Sequence, residues 1–467
     1  MLHWWMVLWN LRFLGTLLMR DRQNFQTGNN LFQNKITGRR AFLISSLATV
    51  ALLPGNSMEV FASSPKKLVR FKQDRFCISF WVDPPADAHM DEHYAQLAAA
   101  NFTVALGGFG AKTPETDQRQ LDLCQKYGLK ALVYLPGYEE GAVHGYADIG
   151  EIRKADKFPN HPACWGYTLH DEPGAGLFPN LRYMVDHLRK VRPGKLGFIN
   201  LLPAYASVAQ QGTHTYEEYV ERYVRKVNPD VLCMDYYPMM EPHADTRHGY
   251  CADLTVLRKY ALRQNIPFWN FFNAMPFGPH SDPTEAQMRW QIYTSLAYGA
   301  KGVLYFCYWT PRGPVFEKGG GLIGRNGQPT RHYYQAQRIN ARLKNLGPTL
   351  MHLTSQAVYR VPRGTNPAAI LRGSPLKSLT PGDYLIGVFK HADGRKAVLL
   401  NNYSYAYTAW PTVKFRTNLK NVAEVDPTTG DETPVVDASP AMPGLQVSLG
   451  AGEGRLFLIR PQENTPR

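Results

Sequence analysis

Metal-binding spacing is missing from this chain of 467 residues. Its six cysteines, Cys77, Cys124, Cys164, Cys233, Cys251 and Cys307, form no CxxC pair and have no histidine at zinc-finger spacing, so no metal site is expected. Four of them stand in or beside apolar, strand-like runs, where a free thiol acts as a small buried hydrophobe and disulfides are unneeded. A concentrated patch of positive charge is also missing. The formal charge is +14, but no Lys/Arg block or nucleic-acid motif gathers it, so a generally solvated surface is expected and a nucleic-acid partner is not. A cofactor fingerprint is lacking too. The run Gly319-Gly-Gly-Leu-Ile-Gly324 fits GxGxxG, yet it leads into the turn Arg325-Asn-Gly-Gln328 instead of opening a helix. It therefore forms no phosphate cradle and reads as a mobile loop over a cleft, with Glu317 just before it as an outlying carboxylate and no cofactor implied.

Long apolar spans are confined to the start of the chain. Met1 to Met19 is apolar but interrupted by Asn10 and Arg12; it is either a membrane anchor or the result of a start assigned too early, and no second span occurs. Around Thr37-Gly-Arg-Arg-Ala-Phe-Leu43 a twin arginine precedes an apolar run to Leu53, and Val60-Phe61-Ala62 offers a small-residue cleavage point. Residues 1–62 thus read as a leader with a Tat-like export signal. The alternative is a chance Arg-Arg before a buried helix. On the export reading the working protein begins near Ser63 and operates in the periplasm or outside the cell, with no membrane contact unless residues 1–19 are retained.

The composition is globular, with 44% hydrophobic, 19% charged and a generous 12% aromatic residues. From about residue 75, short β-branched or aromatic runs alternate with amphipathic stretches. Eight strands are expected at 76–82, 102–106, 131–135, 166–169, 196–199, 231–235, 267–272 and 302–306. Helical patterns lie between or after them at 117–127, 181–191, 216–227, 254–264, 286–297 and 333–346. Eight strand-helix units predict an α/β fold, a (β/α)8 TIM barrel over residues 70–348. Beyond Leu346-Gly-Pro348 no helix is evident, and runs such as 384–389 and 397–400 alternate with turns like Ala392-Asp-Gly-Arg395. Residues 350–467 are therefore expected to form a β-sandwich that supports the barrel or walls its cleft.

In a barrel the reactive groups stand at the C-terminal ends of strands. Strand four runs into Trp165-Gly-Tyr-Thr-Leu-His-Asp-Glu-Pro173, which places Asp171 and Glu172 at the mouth behind His170, with Pro173 ending the strand. Two carboxyl groups are what hydrolysis of a glycosidic bond requires, one as proton donor and one as nucleophile or base. Glu172 is the expected donor. Asp235, ending strand six, either serves as its partner or orients Tyr236 or Tyr237. Adjacent side chains on an extended strand point to opposite faces, so Asp171 and Glu172 share one pocket only if the backbone bends there. Aromatic residues near strand ends, Trp81, Tyr138, Tyr236, Trp269, Tyr305 and Trp309, are expected to stack on sugar rings or to fill the core. Trp81 and Trp309 are the best placed for stacking, since each enters a Pro-bearing loop.

The order of the strand-four Asp-Glu-Pro, then Val231-Leu-Cys-Met-Asp-Tyr-Tyr-Pro238, Pro267-Phe-Trp-Asn-Phe-Phe272 and Ala297-Tyr-Gly-Ala-Lys-Gly-Val-Leu-Tyr-Phe-Cys-Tyr-Trp309 resembles clan-A glycoside hydrolases. It is most similar to bacterial barrel proteins allied to the family 42 β-galactosidases, over roughly residues 70–460. The resemblance implies hydrolysis of an O-glycosidic bond in an extracytoplasmic oligo- or polysaccharide, with the acid/base glutamate at Glu172. It also implies a nucleophilic glutamate after strand seven, where this chain has Asn270 and Asn273 instead; the nearest acids, Asp282 and Glu285, open the next helix, as helix dipoles favour. That departure leaves two alternatives. One is a hydrolase that uses a substrate N-acetyl group, with Asp171 and Glu172 as the adjacent acids that family 20 also carries. The other is a carbohydrate-binding barrel without catalysis.

Overall fold

A computed structural model describes residues 68–135, 160–241, 245–437, 439 and 441–460. The leader with its export signal and Tyr138 lie outside the described residues. All eight expected strands are present: β1 (Cys77–Phe80), β2 (Val104–Leu106), β3 (Lys130–Tyr134), β4 (Cys164–Asp171), β5 (Leu196–Asn200), β6 (Leu232–Asp235), β7 (Phe268–Asn273) and β8 (Gly302–Phe306). They form two parallel four-stranded sheets, ordered β2-β3-β4-β5 and β1-β8-β7-β6. At one junction between the sheets Leu201 bridges Met234, and Leu201 N–H donates to Cys233 O; at the other, Thr103 N–H donates to Ile78 O. One buried cluster takes side chains from all eight strands, among them Cys77, Val104, Leu132, Trp165, Phe198, Cys233, Phe271 and Leu304. The alternate residues of the same strands pack against helices in a second, larger cluster. That alternation is the period of two expected of strands buried on both faces.

The helices obey their sequence signals. The longer ones are α1 (Met90–Ala99), α2 (Pro114–Lys126), α3 (Phe178–Val191), α4 (Tyr216–Val227), α5 (Arg247–Gln264), α6 (Glu285–Tyr298) and α7 (Arg331–Met351). Thr113 and Thr284 cap α2 and α6 with reciprocal capping boxes. α7 runs through Gly347 and Pro348, where a break was expected. The proline sits in the last turn, where a lost hydrogen bond weakens the helix least, and Lys301 Nζ donates to the carbonyls of Leu350 and Leu353 just beyond it.

After α7 the described residues form nine antiparallel strands, from β9 (Leu353–Val361) to β17 (Gly454–Ile459). Six of them make one sheet and three another, and one apolar cluster, with Ile386, Val398, Val413 and Phe457, draws on both. This two-sheet domain rests on α6, where Asn401 Nδ2 donates to Tyr293 O at 2.6 Å. The six cysteines are free thiols and five of them are buried. The glycine-rich run is tied down at its centre: Leu322 and Ile323 are fully buried, Ile323 bridges Trp309, and Gly321 N–H donates to Thr310 Oγ1.

Candidate functional site

The end of β4 is irregular in the way the two carboxylates need. Its register against β5 slips between Thr168 and His170, so Leu169 is bulged out of the ladder, and such bulges re-aim the side chains beyond them. Asp171 then pairs with Asn200, and Glu172 N–H donates to Asn200 O at 2.9 Å. Glu172 itself takes φ +50, the left-handed region that a residue with a Cβ rarely occupies. The turn is pinned from α4 by the buried Tyr219 hydroxyl, which donates to Pro173 O at 2.6 Å. Bulge and turn together bring both acids of one strand toward the same place.

There they meet Asp235 at the end of β6. Glu172 and the Tyr237 hydroxyl both lie near enough to act on the Asp235 carboxyl, Glu172 and Tyr237 each favouring its ionised form. Burial, then the charges of Asp235 and Asp171, hold the Glu172 carboxyl well above the usual range. Burial and then Asp171 push Asp235 to about 7. Asp171 is raised by burial to about 6, while the Asn200 amide, donating at 3.1 Å, favours its ionised form. Two like charges in contact cannot both persist in a low-dielectric setting, so the pair of Glu172 and Asp235 retains a proton near neutral pH.

Of the two tyrosines it is Tyr237 that acts on Asp235, whereas the Tyr236 hydroxyl reaches outward to Thr246 O at 3.4 Å. His170 is buried, lies against Asp171 O through Nδ1, and is lowered to about 4 by that burial, so it is neutral at pH 7. Trp81 ends β1 on the inner face, edge-on to Phe109 and Phe271. Trp309 lies just after β8 and packs against the His93 ring. Tyr205, on the loop after β5, was not expected; it is 53% exposed, and its hydroxyl feels the charges of Asp235 and Glu172. Asn200 was also unforeseen, although it ends a strand at the same level as Asp171.

Three expected residues lie elsewhere. Trp269 is near the start of β7, stacked between Trp165 and Phe198 and bonded to Gln73, and so is core. Asn270 faces outward and donates to the hydroxyls of Tyr250 and Ser295. Tyr305 also faces outward, to Asn340 at 2.8 Å. Their position one step out of phase with the inward residues is the physical reason. Asn273 is buried at the end of β7, its Oδ1 accepting from Met239 N–H and its own N–H donating to Gln291. Asp282 pairs with Arg331 and His332, Glu285 pairs with Arg289 and Arg338, and Glu317 is exposed. None of the three joins the carboxyl cluster.

No family model matches the chain, and no curated protein matches it. Among solved structures it is similar to a family 39 glycoside hydrolase from Bacteroides cellulosilyticus WH2, at 15% identity over 82% of this chain and 81% of that one, with a TM-score of 0.50. It is also similar to a β-galactosidase from Bacillus circulans sp. alkalophilus, at 10% identity over 83% and 99% of the two chains, with a TM-score of 0.55. The family 42 β-galactosidase from G. stearothermophilus gives 9% identity over 85% and 100%, with a TM-score of 0.54. At such identities the likeness is one of fold: the chain has the α/β fold with an appended β-domain that these glycoside hydrolases have.

Proposed function

We propose that the two parallel sheets close into one (β/α)8 barrel and that the chain hydrolyses an O-glycosidic bond in an oligo- or polysaccharide outside the cytoplasm, to which the twin arginine of its leader directs it. The observation that carries this reading is the convergence of Asp171, Glu172 and Asp235 at the C-terminal ends of β4 and β6. A fold alone does not name a reaction, but a proton held on a carboxyl at neutral pH beside a second, ionisable one is what general acid catalysis needs. Glu172 gives its proton to the glycosidic oxygen as the bond from that oxygen to the anomeric carbon breaks. Water adds its hydroxyl to that carbon and its proton goes to Asp235, whose contact with Glu172 returns it.

The test is Glu172→Gln on a glycan panel. Turnover of a glycan cut by the native protein should fall by at least about a hundredfold; equal turnover contradicts the assignment. One observation favours a second reading, binding without cleavage: no carboxyl group stands at the end of β7, where Asn273 is bound to backbone. A native protein that binds a glycan and never cleaves it would establish that reading instead.

A further inference from the structure

The appended domain turns aromatic rings to water on the loop of residues 403–411, which joins β12 (Lys396–Asn402) to β13 (Thr412–Phe415). Tyr403, Tyr405, Tyr407 and Trp410 stand there within eight residues. Exposure rises along the loop: Tyr403 is buried, Tyr405 is half-buried, and Tyr407 and Trp410 are 68% and 72% exposed. No other described tryptophan is exposed. Two such rings on one short loop exceed the single apolar residue that any surface shows. The loop is also fastened. Buried Asn402 donates through Nδ2 to Tyr407 O at 2.6 Å and to Gly450 O at 3.1 Å, and its Oδ1 accepts from Ser404 N–H. Ser404 Oγ accepts from the N–H groups of Ala406 and Tyr407, and Ala409 and Leu449 exchange both backbone hydrogen bonds. Rings placed in this way lose little freedom when a ligand covers them.

The chemistry of the loop selects the ligand. Residues 401–411 contain no charged side chain and no Leu, Ile, Val or Met; between the rings stand Ser404, Ala406, Thr408 and Ala409. Such a surface offers no aliphatic pocket for a protein segment and no seat for an ion. Flat rings with a polar edge, set among hydroxyls, suit a sugar, which has C–H groups on one face and hydroxyls round its rim. The inner end of the loop leads toward the carboxyl groups. The Arg247 guanidinium lies over Tyr403 and Tyr405, at 5.4 and 5.2 Å, and is paired with Asp245. Arg247 opens α5 next to Thr246, whose carbonyl accepts from Tyr236, and Tyr236 meets the Tyr205 ring beside Asp235 and Glu172. Resting on the hydrolytic reading above for the class of ligand, we propose that Tyr407 and Trp410 form a second glycan-binding site, apart from the carboxyl cluster, and that it holds a neutral polysaccharide. The two rings bind the chain on which the carboxyl site works and take no part in bond breaking.

The test is affinity electrophoresis of the whole protein carrying Glu172→Gln, so that the polymer is not consumed. The gels contain xylan, mannan, β-glucan, starch or galactan, with polygalacturonate as the charged comparison. At least one neutral polysaccharide should retard the protein, and adding Trp410→Ala or Tyr407→Ala should weaken the apparent Kd by at least about fivefold. With Glu172 intact, Trp410→Ala should raise KM for that polymer while leaving Tm, and kcat on a dinitrophenyl glycoside of the same sugar, unchanged. No retardation by any neutral polymer, equal retardation of the ring variants, or retardation by polygalacturonate alone overturns the inference. A fall in kcat on the short glycoside also overturns it, since the rings would then act on the reaction or the fold. Should the native protein cut no glycan, or should cleavage survive Glu172→Gln, the hydrolytic reading fails and the gels still decide this one.

Discussion

Glu172 combines three features that single residues seldom combine: a left-handed backbone, a half-buried position and two acidic neighbours. A non-glycine residue in that conformation costs about 1–3 kcal/mol and persists only where its surroundings impose it, as the Asn200 carbonyl and the Tyr219 hydroxyl do here. Asparagine tolerates the left-handed region better and does not ionise. Glu172→Asn should therefore stabilise the fold by about 1 kcal/mol while abolishing turnover, as thermal unfolding and a glycan assay would check. A lower Tm would contradict this origin of the strain. At this scale the sequence is only partly legible. Tyr237 lies beside Asp235 because residues two apart share a face, a rule readable from Met234-Asp-Tyr-Tyr237; the same rule turns Tyr236, Asn270 and Tyr305 outward. The left-handed turn at Glu172 carries no compositional mark, since glycine or asparagine would be its usual sign.

Among elements, α6 shows how burial on two sides erases a periodic signal. All residues from Trp290 to Tyr298 are buried, because the helix is sandwiched between β7 and the appended sheets, so its sequence has no polar face to reveal its orientation. Strand positions were readable because β-branched and aromatic runs are short and bounded. The bulge at Leu169 was not, since it depends on pairing with β5. α2 offers a pH test. Its Asp117 is buried without a hydrogen-bond partner for either carboxyl oxygen and is raised from 3.8 to about 8, first by burial and then by Asp83. A carboxyl whose folded pKa exceeds its unfolded one favours the fold while protonated and loses that contribution as pH rises. Native stability relative to Asp117→Asn should therefore fall progressively between about pH 4 and about pH 8. A difference in Tm that stays constant across that window would show that Asp117 does not titrate in the fold.

For the whole molecule, the appended domain bears on α6 through close backbone contact. Gly452 has φ +68, and a Cβ there would stand 2.3 Å from Ala286 O and 2.8 Å from Trp290 N. Gly452→Ala should destabilise the protein by about 2 kcal/mol or more, seen as a lower calorimetric Tm; an unchanged Tm would mean that the domains do not depend on this contact. The gross division into an α/β part and an antiparallel part was legible from the change of pattern after α7. The site was legible as to strand four and strand six, because carboxylates at the ends of apolar strands stand out. Its remaining wall, with Asn200 and Tyr205, was not, since both sit where polar or aromatic loop residues are common.

The role proposed for Glu172 is to supply the proton to the departing oxygen. A leaving group that departs as a stable anion, such as dinitrophenolate, needs no such proton, whereas a sugar alcohol does. The direct measurement is kcat for Glu172→Gln on two glycosides of the same sugar, one with each leaving group. A loss of about a hundredfold or more is expected with the sugar leaving group and little loss with dinitrophenolate. Equal losses on both would contradict it.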